Sequence, residues 1–306
     1  MKIFLDPQML KIEYYEQTIN RFSEHEFVTD INYSYDADVI VSMGSLLDPQ
    51  SLDQYKNLKW IALISAGYDH VDLEYLKKRN IMLTNAKDVF SIQIAEDVIS
   101  KIMFFNRNLG FHYDKQKEKV WKYKSVSHEI YGSTIGILGT GSIGQHVAKR
   151  LKAFDTKIIG YKKTYDHVPY FDMIYTEQKG LYELLKESDY VIVALPLNDH
   201  TKYLLDAKAL AMMKEDALLV NVARGDIIDQ QALTKALVSH QIRGAALDVT
   251  SPEPLLETDP LWSLDNCFIT PHNASASPKI HERIRDEIED TIDRVLHEKE
   301  LDNRII

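Results

Sequence analysis

Gly139, Gly141 and Gly144 lie in the string GTGSIG, preceded by a strand-like run, TIGIL, and followed by a helix-like run, SIGQHVAKRLKAF. Alone, the spacing is weak evidence; between a strand and a helix it is a phosphate-binding pattern. Gly139 permits a tight turn. Gly141 lets the backbone approach a pyrophosphate, and Gly144 lets the helix pack close on the strand. The amides of Ser142 and Ile143 open the helix and offer an anion hydrogen bonds and the positive dipole end. The plain alternative is a glycine-rich turn without a ligand. The next strand-like run, KIIGY, ends where an NAD site normally carries Asp or Glu for the ribose 2′-hydroxyl. Here the residues are Tyr161-Lys162-Lys163-Thr164, and the first carboxylate is Asp166. Two lysines suit a 2′-phosphate, which favours NADP(H) over NAD(H). The alternative is a solvated basic loop, with Asp166 or a backbone group serving NAD. Three further strings end strand-like runs: NVARGDIID with Arg224, LDVTSPEPL with Asp248 and Glu253, and TPHNA with His272. Ligands and reactive groups gather at that edge of an open parallel sheet. Taken singly, Arg224 could brace a turn, Glu253 could be an exposed loop acid, His272 a satisfied loop histidine and Asp248 a cap.

The elements that must position these residues alternate between short apolar strands and helices, the signature of βαβ units. The expected strands are Lys2–Leu5, Asp38–Ser42, Trp60–Ser65 and Ile81–Thr84, then Thr134–Leu138, Lys157–Tyr161, Tyr190–Leu195, Ala217–Val222, Gly244–Val249 and Cys267–Thr270. Helices are expected at Val71–Arg79 with Asp69 as cap, Ser91–Leu109, Gly180–Lys186 and Gln230–Ser239 with Asp229 as cap. The polar, aperiodic segment His112–His128 reads as a loop. A last helix opens at Ser277-Pro278 and carries the stripe Ile280, Ile284, Ile288, Ile292 and Val295, which should pack back on the first block. The fold class is therefore α/β, with two parallel-sheet domains, Rossmann-like and flavodoxin-like, and a cleft between them. The substrate domain is expected at 1–99 plus 276–306, and the dinucleotide-binding domain at 100–275.

Composition narrows the function class. The net charge of −10 argues against a general nucleic-acid or membrane-surface binder. A single cysteine, Cys267, excludes an intrachain disulfide framework and a cysteine-rich metal site, and no metal is expected. No apolar run approaches a membrane span, and the start MKIFLDPQML lacks a signal-peptide core, so a cytoplasmic location is expected.

In order along the chain, GTGSIG, the LPLNDHT string around Pro196, NVARGDIID, LDVTSPEPL and TPHNA resemble the D-isomer-specific 2-hydroxyacid dehydrogenases. The resemblance runs from about Ser65 to Ala276. It implies an NAD(P)-dependent oxidoreductase that interconverts a small 2-oxo acid and its D-2-hydroxy acid; with NADPH, reduction is the expected direction. It implies His272 as general acid/base, because imidazole can hold and release a proton near neutral pH. Glu253 would hold the other ring nitrogen. Arg224 would grip the substrate carboxylate and polarise the carbonyl oxygen through its permanently charged fork. Asp248 would bond the nicotinamide carboxamide. The cofactor would also meet Tyr161, Leu195, Pro196, Thr201, Val222 and Ala223. Ala66, Gly67 and Tyr68, in SAGYDHVD, would meet the substrate, and Glu96 in IAED is expected to be structural. Relatives of this kind usually dimerise through the cofactor domain, so a homodimer is expected. After His272 the chain reads NASASP, where the family more often has two glycines and a threonine, which puts the substrate's identity in doubt. Two rivals stand beside this expectation: a cofactor-sensing corepressor of the same fold, and a phosphoglycerate-type dehydrogenase, which would need more cations near Tyr68 than His70 alone.

Overall fold

A computed structural model describes residues 1–7, 11–44, 46–125 and 128–306, apart from the side chain of Ile12. The chain divides into two compact units, Met1–Phe90 with Ser277–Ile306, and Ser91–Ala276. The division falls at 90/91 rather than 99/100, because the long helix from Ser91 belongs wholly to the second unit.

The first unit is a five-stranded parallel sheet of β1 (Lys2–Leu5), β2 (Glu26–Val28), β3 (Val39–Ser42), β4 (Trp60–Leu63) and β5 (Met82–Asn85), in the order β2-β1-β3-β4-β5. That is the flavodoxin-like order. Strand alternation divides its apolar residues between two faces. Ile3, Leu5, Val39 and Val41 enter one core, and Phe4, Ile40, Ile61 and Leu83 the other. Helices α1 (Ile12–Arg21), α2 (Pro49–Leu52) and α3 (Leu73–Lys78) connect the strands. The cap of α3 is Asp72, which accepts from Tyr75 N at 2.9 Å, and not Asp69, because the helix begins at Leu73. The terminal helix, Ile280–Leu296, buries Ile284, Ile288 and Ile292 in the same core as Ile3 and Leu5, and Ile280 and Val295 flank them. It begins three residues after Ser277, whose hydroxyl accepts from Lys279 N at 3.2 Å.

The second unit is a seven-stranded parallel sheet of β6 (Thr134–Leu138), β7 (Lys157–Tyr161), β8 (Met173–Tyr175), β9 (Tyr190–Val193), β10 (Leu218–Asn221), β11 (Gly244–Leu247) and β12 (Cys267–Ile269). Its order is β12-β11-β10-β9-β6-β7-β8, the doubly wound arrangement whose direction of winding reverses between β6 and β9. Helices α4 (Ser91–Asn106), α5 (Leu109–Lys117), α6 (Ser142–Leu151), α7 (Glu177–Glu187), α8 (Ala207–Leu210) and α9 (Gln230–Val238) belong to it. Asp229 caps α9 by accepting from Ala232 N at 3.0 Å. The segment expected as a loop at 112–128 is helical as far as Lys117, and its Val126 and Ser127 lie outside the described residues. Nothing in α5 is buried, so its sequence carries no apolar stripe. Among the described residues no helix is long and apolar enough to cross a membrane.

A half-buried acid makes the first unit sensitive to pH. Burial pushes the Glu287 carboxyl up to about 7, helped by Asp290 and Asp88 and opposed by Asn303 and Arg294. A raised folded-state value stabilises the fold at low pH, and that contribution is lost as pH rises through about 7. At most roughly 3 kcal/mol is involved. Glu287→Gln keeps an acceptor for Asn303 Nδ2, which now bonds Oε1 at 2.8 Å. Urea denaturation should find it more stable than the parent at pH 8 and close to it at pH 5. Parallel stability curves for the two proteins would contradict this.

Candidate active site

The ends of six neighbouring strands carry the candidate residues in a row. Along the sheet edge come His272 after β12, Asp248 after β11, Arg224 after β10, Leu195 and Pro196 after β9, the glycine turn after β6, and Tyr161 to Lys163 at β7. Ladder bonds run on past the strands and keep these ends in step. Val222 N donates to Val193 O at 3.2 Å, Asp248 N to Asn221 O at 2.9 Å, and Thr270 N to Leu247 O at 2.9 Å. At ordinary strand spacing the row is roughly 24 Å long.

The three glycines have three separate physical reasons. Gly139 has φ +103°, and a Cβ there would lie 2.5 Å from Ala194 O. A Cβ on Gly144 would lie 2.0 Å from Gly139 O, so α6 can approach β6 only with glycine at this position. Gly141 is different: a Cβ there would meet nothing within 4 Å. The fold itself does not need glycine at 141, so the open space before α6 fits a ligand that comes close to the backbone. The first amides of a helix have no intrahelical acceptor, which suits that space to a phosphate. Ser142 Oγ pairs with Ser91 Oγ at 2.6 Å.

His272 and Glu253 are brought together. Nδ1 of His272 lies 2.8 Å from Glu253 Oε2, and the other Glu253 oxygen accepts from Thr250 N at 3.1 Å. A carboxylate only accepts, so Nδ1 carries the hydrogen and Nε2 is left for chemistry. The pair is part exposed, with 47% and 38% of the two side chains accessible. The loop before Glu253 is held by Gln230 Oε1, which accepts from Ser251 N at 2.9 Å, and by Ser251 Oγ, which donates to Asp226 Oδ1 at 2.6 Å.

His272 has a left-handed backbone, φ +50°, uncommon for a residue with a side chain. Asp248 holds it there. The Asp248 carbonyl accepts from His272 N at 2.8 Å. Its carboxylate accepts from Thr270 Oγ1 at 2.6 Å, Asn273 N at 3.1 Å and Ala274 N at 2.9 Å. With 2% of its surface exposed, Asp248 uses these bonds to anchor the loop that bears His272. The sequence expectation gave it a cofactor contact; most of its acceptor capacity goes instead to its own chain. Lys101 Nζ lies 3.7 Å from Asp248 Oδ1 and also pairs with Asp97. Burial pushes the Asp97 carboxyl up, against the pull of Lys101.

Arg224 sits in a turn braced by Asn221, which is 1% exposed. Asn221 Oδ1 accepts from Ala223 N and its Nδ2 donates to Arg224 O, each at 3.0 Å. Arg224 Nη1 donates to Ala223 O at 2.8 Å. Several other expected residues serve the fold locally. Thr201 Oγ1 donates to Pro196 O at 2.6 Å and accepts from Asn198 N at 2.8 Å, closing the LPLNDHT loop. Val222 and Ala223 are buried, and Leu195 and Tyr161 pack on the core. Lys162 Nζ pairs with Asp166 Oδ1 at 2.5 Å, while Lys163 is exposed. In the first unit, Ser65 Oγ donates to Gly67 O at 2.6 Å and Asn85 Nδ2 to Ala66 O at 2.8 Å, and Tyr68 packs on the core. Glu96 is exposed. Asn221, Lys101 and Asp97 were missed in the sequence. The Asn of NVARG was a usable signal, whereas nothing in SIQIAEDVISK marks its lysine as buried.

Residues 99–274 match the family described as D-isomer specific 2-hydroxyacid dehydrogenase, NAD binding domain. The chain belongs to the D-isomer specific 2-hydroxyacid dehydrogenase family. A glyoxylate reductase of Pyrococcus furiosus is 37% identical over 253 residues, which are 79% of this chain and 74% of that protein. Among solved structures, an acyclic imino acid reductase in complex with NADPH and D-Arg is 29% identical, with TM-score 0.87 and complete coverage of both chains. A D-lactate dehydrogenase from Aquifex aeolicus, complexed with NAD and lactic acid, is 27% identical with TM-score 0.79, covering 97% of this chain and 96% of that one. This 2-hydroxyacid dehydrogenase is thus an oxidoreductase that uses a nicotinamide cofactor.

The glycine geometry separates fold from ligand. Gly144→Ala should destabilise the 2-hydroxyacid dehydrogenase by roughly 1–3 kcal/mol through overpacking. Gly141→Ala should change stability by less than about 1 kcal/mol yet weaken NAD(P)H binding in a fluorescence titration. Unchanged binding in a folded Gly141→Ala protein would leave the open space without a ligand.

Proposed function

We propose that the protein is a 2-oxo acid reductase that forms the D-2-hydroxy acid, with His272 as general acid. The observation that carries this is the His272–Glu253 pair, which leaves Nε2 as the nitrogen that can give up a proton. When bound, the nicotinamide supplies the hydride. His272 delivers the proton to the carbonyl oxygen, and Glu253 stabilises the ring while it is charged and keeps Nδ1 protonated. Arg224 grips the carboxylate and polarises the carbonyl; Ala66 and Gly67 are substrate contacts on the family resemblance. Asp248 keeps the histidine in place, and its remaining acceptor capacity serves the carboxamide. The amides of Ser142 and Ile143 hold the pyrophosphate. Glyoxylate, the substrate named for the Pyrococcus relative, heads the substrate panel. The D-Arg complex of the imino acid reductase adds 2-oxo acids with basic side chains, supplied with ammonia, to that panel.

We further propose a preference for NADP(H), supported by Lys162 and Lys163 at the end of β7. The Lys162–Asp166 pair is part exposed, so its interaction is weak and a 2′-phosphate can displace the carboxylate. A cytoplasmic homodimer completes the reading. Its support is the exposed apolar set Leu109, Tyr113, Val120, Trp121 and Tyr123, which a second copy would cover.

Two measurements test this. His272→Ala should lower kcat by about 10²–10⁴-fold, the ordinary worth of a general acid, while NAD(P)H affinity stays near that of the parent; full activity would remove His272 from the chemistry. Lys162→Asp combined with Lys163→Ala should raise the NADPH Kd about tenfold or more relative to the NADH Kd, the loss of roughly 1.4 kcal/mol of charge attraction. An unmoved ratio would assign both lysines to the solvated surface. A flat substrate panel with tight cofactor binding would favour the sensor rival.

A further inference from the structure

Lys101 is a buried cation that the proposed chemistry does not use. It lies on α4 with 1% of its surface exposed, on a helix whose other buried residues include Ile94, Val98 and Ile102. An ammonium this deep is retained only with anionic partners. Asp97, one turn earlier on α4, is one of them, but its side chain is 21% exposed. A lysine can satisfy such an acid from the surface, so Asp97 alone gives no reason for burial. Asp248 does. Its carboxylate is as deeply buried as the ammonium and lies 3.7 Å away. Its described partners, Thr270 Oγ1, Asn273 N and Ala274 N, approach both oxygens as donors. Only the ionised carboxylate can accept from all of them without turning a proton of its own toward an N–H.

We infer that Lys101 is a positioning residue for the reaction: anchored by Asp97, its ammonium lies against the Asp248 carboxylate and so holds the Thr270–Ala274 turn that aims His272. The inference rests on His272 acting as the proposed acid. The aim needs holding because His272 has φ +50°, a conformation that a side-chain-bearing residue keeps only when its surroundings impose it. Asp248 imposes it twice, through its carbonyl on His272 N and through its carboxylate on the two amides that follow. Lys101 touches neither substrate nor cofactor in this account. It acts through Asp248.

The test compares Lys101→Met and the double variant Asp97→Leu/Lys101→Met in the full chain, with active sites counted by NADPH-binding stoichiometry. Both should lose about tenfold to a hundredfold in kcat, the usual effect of a misplaced catalytic group. KM for glyoxylate should stay within about threefold, because Arg224, which holds its carboxylate in this account, is untouched. The double variant removes Asp97 together with its cation, so that acid is not left without a partner if Lys101→Met folds poorly. A lysine that served only the fold would then regain kcat together with its melting temperature. Parent-like kcat in the folded double variant overturns the inference. His272→Ala assayed alongside keeps the two claims apart. If it is inactive while the Lys101 variants turn over normally, the inference fails alone; if it is active, the reading of His272 fails first.

Discussion

The carboxylate of Asp248 accepts from Thr270, Asn273 and Ala274, and its main-chain oxygen accepts from His272. The placement of the His272 ring depends on this arrangement. His272 is on a loop and part exposed, so packing alone does not fix it. Its orientation comes from two carboxylates with different duties. Asp248, buried, fixes the backbone; Glu253, at the surface, fixes the ring and its tautomer. The loop of Glu253 is in turn braced by Asp226, in the turn after β10, and Gln230, at the start of α9. A short chain of hydrogen bonds thus connects β10, β11 and β12 at their C-terminal ends.

The parallel sheet does the rest of the positioning. Six adjacent strands deliver His272, Asp248, Arg224, the Pro196 loop, the glycine turn and the lysine pair in one row. Winding reverses between β6 and β9, beside the glycine turn, which is where an open α/β sheet leaves room for a ligand. Gly139 and Gly144 are dictated by backbone contacts inside the protein, whereas Gly141 faces space. Within one six-residue string, two glycines are thus required by the fold and one is not.

Much of this was legible beforehand, and the exceptions have physical causes. Strands such as Thr134–Leu138 and Lys157–Tyr161 are continuous apolar runs buried on both faces, so their limits show in the sequence. Glu26–Val28 and Met173–Tyr175 did not show: each is a three-residue edge strand with no fully buried residue. The helix Leu109–Lys117 escaped because it buries nothing. The pairing of His272 with Glu253 followed from the family resemblance, and the structure supplies its distance and tautomer. The loop-anchoring duty of Asp248 was not legible, because a carboxylate at a strand end looks the same in sequence whether or not it also holds its own loop. Lys101 was invisible for a related reason: burial of a lysine is set by distant partners, here one on the same helix and one about 150 residues on.

The central claim is that Nε2 of His272 is the proton donor to a substrate oxygen. A crystal structure of the protein with NADPH and oxamate, an unreactive 2-oxo acid mimic, tests it most directly. The account predicts Nε2 within about 2.6–3.2 Å of the oxamate amide-carbonyl oxygen, with Glu253 still on Nδ1 and Arg224 on the oxamate carboxylate. An oxamate whose carbonyl oxygen is bound by another side chain, with the imidazole turned away, would contradict it.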